Sequence, residues 1–379
     1  MATRESNTSE HFLHCAVALL GIGFPIGIFW QLMYVLPPAV WENEQVSIIL
    51  SWFPSLWYLS ASVLALIRTG RVSSPARKLG VCLITIFCLF LLPYFLGEGY
   101  VSLWQKRYND SEYQASRKRR LLPAQEAVLY AQPKLLAETL EKVAPERPGV
   151  TDLYLVAMGG YGSQDVFLRE VKSVSTLFAE RFGTQDHSIE LINNPTTVLT
   201  HPIASVTALE RTLNTMGARM NPEEDVLFLF MTSHGAEKAF NLQLWPYQFD
   251  DLTPERLRQM LDASQIKNRV IVVSACYSGS FIEPLINDDT LVISASRADR
   301  NSHGCSHEAE WTFFGQAYFN ESLRHTLSFT QAFEEAKQSI ARREEAENLD
   351  LSEPQMFVGE NIVTVLQRLQ DRLSAEAQK

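Results

Sequence analysis

Two residues that can act together in nucleophilic chemistry each follow a short apolar segment of this sequence. His234 comes after Val226–Met231 and precedes Gly235, and Cys276 comes after Val270–Val273. A cysteine attacks a carbonyl carbon as its thiolate, and a neighbouring imidazole can take the thiol proton and later pass it to the leaving group. If the two apolar segments form neighbouring strands, the side chains meet. The pair therefore predicts acyl transfer through a covalent cysteine intermediate.

The residues around this pair suit the same chemistry. The backbone N–H groups of Gly235 and Cys276 can form an oxyanion hole, in which one donor contributes roughly 3 kcal/mol to catalysis. Ser278, Gly279 and Ser280 leave room beside the sulfur and can begin a helix whose N-terminus would favour a thiolate. Taken singly, a cysteine after an apolar strand is more often a small core residue. The combination at two successive strand exits favours catalysis.

The elements that must position these residues alternate between strand and helix. Short apolar segments predict strands at Leu153–Met158, Ser188–Ile192, Val226–Met231, Val270–Val273 and Leu291–Ile293. Apolar residues at helical intervals, or a capping hydroxyl before proline, predict helices at Val166–Phe182, Ile203–Met216, Trp311–Leu323, Phe329–Ala341 and from Thr253 onward. The alternation indicates an α/β fold with a mostly parallel sheet between helical layers, where chemistry collects at the carboxyl ends of the strands.

Residues 1–100 have the composition of a membrane region. They contain three long runs without Asp, Glu, Lys or Arg, at Phe12–Leu36, Val46–Ile67 and Leu79–Leu96. A spanning helix needs roughly 20 apolar residues, and each run is near that length. The pattern predicts an α-helical region with about three transmembrane helices. A cleaved signal peptide for the first run, and buried core helices for all three, remain as alternatives.

The charges between these runs predict how the chain is oriented. Segment 37–45 contains Glu42 and Glu44 and no Lys or Arg, whereas segment 68–78 is basic. By the positive-inside rule the basic segment is cytoplasmic, so the chain after the third span emerges on the non-cytoplasmic side of a bacterial-type inner membrane. The basic run Arg117–Arg120 argues the other way, and is either a solvated linker or a contact with lipid headgroups.

The order of the two catalytic motifs resembles the legumain family of cysteine peptidases. One apolar strand ends in Ser233-His234-Gly235, and about forty residues later another ends in Ala275-Cys276, followed by Ser278-Gly279-Ser280. The similarity extends from about Asp152 to about Asn320. This family belongs to clan CD, has a caspase-like fold and includes the catalytic subunit of the glycosylphosphatidylinositol transamidase.

The resemblance implies a role for each motif residue. Cys276 would be the nucleophile, His234 the general base and acid, and the N–H groups of Gly235 and Cys276 the oxyanion donors. The fold implied is a caspase-like three-layer domain with a mostly parallel sheet. The resemblance does not extend to the three predicted spans.

The positions that set specificity in legumain depart from the family pattern. Ser274 stands where the family has an acidic residue, and Gln316 stands where it has an aspartate. No counterpart of the family's pocket arginine is found near Ser163–Phe167. We therefore take Ser163, Ser274 and Gln316 as candidate substrate-pocket residues, and we do not expect strict cleavage after asparagine.

Two further motifs could suggest a cofactor. The turn Gly159–Gly162 follows a strand, but it lacks the third glycine of a dinucleotide fingerprint and is interpreted as a turn bordering the active site. His303, Cys305 and His307 lie within five residues but do not have the spacing of a zinc site. No metal and no cofactor are therefore predicted.

Composition limits the class of protein. The chain has 379 residues, a net charge of −10 and five cysteines. The acidic excess lies after the nearly neutral first hundred residues and argues against nucleic acid as a partner, and the few cysteines argue against a disulfide scaffold. We predict a membrane region at 1–100, a basic linker at 101–150, a caspase-like peptidase domain at 151–345 and a C-terminal helical extension at 346–379.

These observations lead to one functional hypothesis and two alternatives. The hypothesis is a membrane-anchored cysteine endopeptidase that hydrolyses peptide bonds through Cys276, His234 and an acyl-enzyme. The same pair of residues would also serve a transamidase or transpeptidase, and a caspase-like domain can also be a non-catalytic interaction module. The expected partners are a protein or peptide substrate, the lipid bilayer and a membrane protein complex.

Overall fold

The computed structural model describes residues 117–119 and 121–377, together with isolated positions between 60 and 83. The chain divides into two units between Tyr108 and Asn109, and the fold given below belongs to the second unit. Apart from those isolated positions, the three predicted spans lie outside the described residues. Within the described part of the chain, no helix has both the length and the apolar character needed to cross a bilayer.

A six-stranded sheet forms the centre of the described unit. Its strands are β1 (Leu153–Gly159), β2 (Ser188–Ile192), β3 (Val226–Thr232), β8 (Asn268–Ser274), β9 (Thr290–Ser294) and β10 (Gln355–Val358). Their order in the sheet is β10-β9-β8-β3-β1-β2. The strands pair in parallel except for β10, which runs antiparallel to β9 at one edge. The predicted α/β fold with a mostly parallel sheet is confirmed.

Two small hairpins lie between β3 and the next long helix. Strand β4 (Gly235–Ala236) pairs with β5 (Ala239–Phe240), and β6 (Gln243–Leu244) pairs with β7 (Tyr247–Gln248). Tyr161, in the turn after β1, forms a bridge with Gln243. The hairpins therefore border the carboxyl end of the sheet, where the catalytic residues are predicted.

Helices cover both faces of the sheet. Every residue of the four inner strands is buried, which explains why the central residues of these strands are apolar and do not alternate with polar residues. The long helices are α1 (Glu126–Glu141), α2 (Asp165–Phe182), α3 (Val206–Gly217), α4 (Pro254–Ala263), α5 (Phe329–Ala346) and α6 (Glu360–Glu376). Shorter turns occupy Leu122–Ala124, Ser278–Phe281, Ile282–Leu285 and Ser322–Arg324.

Local capping residues determine where several helices begin. The Thr253 side chain accepts a hydrogen bond from the backbone N–H of Arg256 at 3.2 Å, and Pro254 occupies the first helical position of α4. Ser205 caps α3 in the same way, through the N–H of Ala208 at 3.1 Å. The helix start predicted at Thr253 is therefore confirmed.

The segment predicted as one helix over Trp311–Leu323 is not a regular α-helix. It forms an α-helical turn at Phe313–Gly315, a π-helix at Gln316–Glu321 and a 3-10 turn at Ser322–Arg324. Ala317, Tyr318 and Phe319 are consecutive and all fully buried. Three successive buried side chains exceed the one apolar stripe of an amphipathic helix, so the core encloses this segment on more than one side.

The segments on either side of the predicted peptidase domain pack against the same sheet. Leu136 of α1 and Val143 join the apolar cluster on one face of the sheet, within the stretch interpreted as a linker. On the other face, Ile362 and Leu369 of α6 are buried, and β10 supplies the edge strand. The structure thus joins β10 to the sheet and packs α6 on it, because these two elements supply backbone and apolar surface that the sheet pairs with and buries.

Candidate active site

The sheet places His234 and Cys276 just beyond the ends of two neighbouring parallel strands. Thr232 of β3 pairs with Ser274 of β8 in the register, and the N–H of Ser233 donates to the carbonyl of Ser274 at 3.2 Å. Each candidate catalytic residue lies two positions past the last paired residue of its strand. The two strand exits therefore leave the sheet side by side.

Gly235 packs tightly against the strand exit that carries Cys276. A Cβ at this position would overlap the carbonyl oxygen of Cys276 and would stand 3.0 Å from the Cβ of Ala275. A side chain here would therefore separate the backbones that carry His234 and Cys276.

His234 is half-buried and held by residues that follow β1. Its Nε2 lies within hydrogen-bond distance of the Gln164 side-chain oxygen, and the rings of Tyr161 and Phe167 stand edge-on at centroid distances of 4.6 and 5.3 Å. An amide oxygen can only accept, so Nε2 carries the hydrogen. Burial in these surroundings lowers the pKa of His234.

Gln164 was not among the residues predicted from the sequence. Its position one residue before α2, in the loop that leaves the carboxyl end of β1, is the only local signal that it could reach the site. The contact with His234 joins residues 70 positions apart. A local pattern does not reveal such a pairing.

The thiol of Cys276 contacts a loop from beyond β9. Its Sγ donates to the carbonyl of Ser302 at 3.4 Å and accepts from the Ser302 N–H at 3.3 Å. Burial raises the pKa of Cys276, although the N–H groups of Ser302 and of Cys276 itself oppose the rise. Tyr277, the next residue, has a positive φ of 57°, a strained conformation that often occurs beside functional groups.

The expected effect of a helix N-terminus on the thiol is not realised. After Tyr277 the chain forms a single 3-10 turn at Ser278–Phe281 and a short helical turn at Ile282–Leu285. Burial raises the pKa of Cys276, and the N–H groups that oppose the rise are those of Ser302 and of Cys276 itself. The directions of the pKa shifts of Cys276 and His234 favour the uncharged thiol and the uncharged imidazole.

The three candidate pocket residues have different surroundings in the structure. Ser274 is buried, and its hydroxyl lies 3.4 Å from that of Thr312. Gln316 donates to Glu321 at 2.9 Å, and its backbone N–H donates to the carbonyl of Thr312. Ser163 is exposed and lines a separate groove of about 240 Å³ together with Arg119, Gly162, Pro195, Leu244, Trp245 and His307.

Arg119 belongs to the basic run that precedes the domain. Its guanidinium forms an ion pair with Asp165, the first residue of α2. Asn194 also donates to this carboxylate, at 2.8 Å. Burial alone would raise the pKa of Asp165, but the hydrogen bonds from Arg119 and Asn194 outweigh it and lower the pKa. Arg119 therefore has a partner within the protein itself.

The three residues weighed as metal ligands, His303, Cys305 and His307, lie in the loop after β9 and have different surroundings. His303 Nε2 lies 2.7 Å from the carbonyl of Asp350, and His307 lies near Asp165. Burial, with the nearby Cys276 and Glu170, raises the pKa of the Cys305 thiol to about 12. Among the residues with a described position, no group of three or more His, Cys, Asp or Glu is arranged to hold a metal ion.

Comparison with known proteins gives one family. The model of the Peptidase C13 family matches residues 205–364, a segment that contains both His234 and Cys276. No protein of curated function matches the chain. Among the solved structures, Caspase-1 from Spodoptera frugiperda is similar over 57% of this chain and 88% of its own, with 11% sequence identity and a TM-score of 0.41. The family match supports the resemblance to legumain and indicates a cysteine-type peptidase.

Proposed function

We propose that this chain, a cysteine-type peptidase whose matched family is Peptidase C13, hydrolyses peptide bonds of protein or peptide substrates with Cys276 as nucleophile and His234 as general base and acid. The observation that carries the proposal is the contact of two strand exits. Gly235 and the Cys276 carbonyl leave no room for a side chain between them, so the histidine and the cysteine emerge side by side from neighbouring strands.

The hydrogen bond from His234 to Gln164 determines which ring nitrogen of His234 acts as the base. With Nε2–H donating to Gln164, Nδ1 is the nitrogen that takes the thiol proton. The thiolate of Cys276 then attacks the scissile carbonyl carbon, and the carbonyl oxygen becomes an oxyanion. We assign its stabilisation to the N–H groups of Gly235 and Cys276.

The second half of the reaction reverses the proton transfer. The imidazolium of His234 gives its proton to the departing amine, which leaves an acyl-enzyme on Cys276. Water, deprotonated by the same Nδ1, attacks this thioester, the carbon–sulfur bond breaks to release the acid, and the Cys276 thiolate takes the proton back from His234. The starting pair is neutral, so the proton transfer and the attack on the carbonyl carbon are expected to be coupled.

We also propose that the first hundred residues anchor the enzyme in a membrane, with the catalytic domain on the non-cytoplasmic side. The support is the three uncharged runs and the acidic loop between the first two. The catalytic proposal does not depend on this anchor.

Substitution of the two catalytic residues tests the chemistry. We expect Cys276→Ala and His234→Ala to reduce kcat for peptide cleavage by at least about a thousandfold, because each removes a bond-making or proton-carrying group. Cys305→Ala and His325→Ala are the matched controls, and both are expected to retain activity. Wild-type rates in either dyad variant would refute the assignment. Transfer of the acyl group to an added amine, instead of to water, would assign the same residues to transamidation.

A further inference from the structure

A buried carboxylate, Glu170, is hydrogen-bonded to the strand that leads to His234 and is linked through Thr312 to the strand that leads to Cys276. Glu170 lies in α2 and is fully buried. One of its oxygens accepts from the Thr232 hydroxyl at 2.5 Å, and the other accepts from the N–H and the hydroxyl of Thr312 at 2.8 and 2.7 Å. Thr232 is the last residue of β3, two positions before His234.

The same bonds continue to the strand that carries the nucleophile. Because the Thr312 hydroxyl gives its hydrogen to Glu170, it can only accept from the Ser274 hydroxyl, which lies 3.4 Å away. Ser274 is the last residue of β8, two positions before Cys276. We call this set, Ser274, Thr312, Glu170 and Thr232, the carboxylate bridge. Through buried side chains, it links β3, which leads to His234, to β8, which leads to Cys276.

Burial of the Glu170 carboxyl costs free energy, because the group loses its contact with water. All the hydrogen bonds to Glu170 come from neutral groups, and burial raises the pKa of its carboxyl although those bonds oppose the rise. Nearby packing leaves the carboxylate little freedom, because a Cβ at Gly315 would overlap one of its oxygens. An apolar residue would fill the same space without the desolvation penalty. A carboxylate, however, offers an acceptor oxygen to each side at once.

We propose that Glu170 is a positioning residue for the peptidase reaction, which keeps the exits of β3 and β8 in the relative placement that His234 and Cys276 require. This inference rests on the proposed function. Attack by the thiolate requires the reacting groups to be placed within a fraction of an ångström, and misplacement by about 1 Å can cost about a hundredfold in rate. Loss of the bridge should thus lower kcat and leave substrate binding intact.

Substitutions at Thr232 test this role with little change in shape. We expect Thr232→Val, which has the same shape but no donor for Glu170, to lower kcat by about ten- to a hundredfold with KM within about twofold. Thr232→Ser restores the donor and should return kcat to near the wild-type value. Thr290→Val is the matched control, since this threonine is also buried in a strand and its hydroxyl has no hydrogen-bond partner among the described residues.

A second pair of variants addresses the carboxylate itself. Glu170→Leu removes both acceptors and is expected to lose kcat to the same extent, whereas Glu170→Gln keeps a polar group towards each threonine and should retain most of it. If Glu170→Leu does not fold, as judged by circular dichroism, the comparison of Thr232→Val with Thr232→Ser tests the inference alone. Full kcat in Thr232→Val, or a loss that Thr232→Ser does not restore, would overturn the inference. Activity that survives Cys276→Ala would instead overturn the proposed function.

Discussion

Burial determines the starting protonation of both proposed catalytic groups. The pKa of Cys276 is raised and the pKa of His234 is lowered, in each case because the less polar surroundings disfavour the charged form. A preformed thiolate–imidazolium pair is therefore not favoured. The imidazole remains neutral, and able to act as a base, at pH values below the ordinary histidine pKa of about 6.5.

This state of His234 predicts a particular pH dependence. The acid limb of kcat/KM should lie below about pH 6.5, because activity is lost only when the neutral imidazole becomes protonated. Gln164→Glu places a carboxylate against Nε2, which favours the imidazolium, so the limb should move to higher pH by about one unit. The measurement is kcat/KM from pH 4 to 9, with Gln248→Glu, at an exposed position of β7, as control. An unmoved or lowered limb in Gln164→Glu would contradict the contact.

At the scale of the elements, the contact between α2 and β2 carries a charge cluster of its own. Lys172 of α2 donates to the Glu190 carboxylate of β2 at 2.5 Å, and His201 lies 3.3 Å from the same oxygen. Burial alone would raise the pKa of Glu190, but the hydrogen bonds from His201 and Lys172 outweigh it and lower the pKa to about 2. The cluster therefore favours the folded state when the carboxyl is ionised.

The sign of this shift predicts how stability changes with pH. The folded pKa lies below the ordinary glutamate value of about 4.3, so the contribution is fully present above that pH and is lost as the pH falls towards 2. It amounts to at most about 3 kcal/mol, of which about half is lost by pH 3. We expect Glu190→Gln to unfold at lower urea than wild type at pH 7, with a smaller difference at pH 3.

The control for this prediction is a surface pair. Glu138 lies 3.5 Å from Lys134 on α1 with both side chains exposed, and such pairs contribute little. Glu138→Gln should match the wild type at both pH values. A Glu190→Gln difference that is the same at pH 7 and pH 3 would show that the cluster does not act through ionisation.

At the scale of the whole molecule, the net charge of −10 is an average over two unlike parts. The first hundred residues are nearly neutral and rich in uncharged runs, whereas the acidic remainder folds around the sheet. The division between Tyr108 and Asn109 falls close to this change in composition. The basic run after it is in part engaged with the domain, through the pairing of Arg119 with Asp165.

The proposed anchor predicts how the full chain behaves in cell fractions. We expect full-length protein to remain with membranes after extraction with alkaline carbonate, because helices that span the bilayer are released only by detergent. A variant with Arg or Lys placed in each run, for example Leu20→Arg, Leu56→Arg and Leu89→Arg, should be lost from the membrane fraction. Release of the unmodified chain by carbonate would contradict the proposed anchor.

Much of the sheet could be predicted because its strands are buried on both faces. Segments such as Val226–Met231 and Val270–Val273 are apolar throughout. A short apolar run between polar turns is typical of a strand that is buried on both faces. Strand β10 and helix α1 could not be identified in this way. The strand is short and only partly buried, and α1 buries few of its residues, so neither has a clear apolar period.

Local sequence is enough to predict the alternation of strands and helices, the strand exits that carry His234 and Cys276, and the small residues beside them. These features are local, because strand burial, helix caps and turns are encoded by residues close together in the chain. The hydrogen-bond partners around the site come from distant parts of the chain and are seen only in the folded protein: Gln164 is 70 positions from His234, Glu170 is 62 from Thr232, and Thr312 is 142 from Glu170. Such hydrogen bonds depend on the register of the strands and on how α2 packs across the sheet. No short stretch of residues determines either of these.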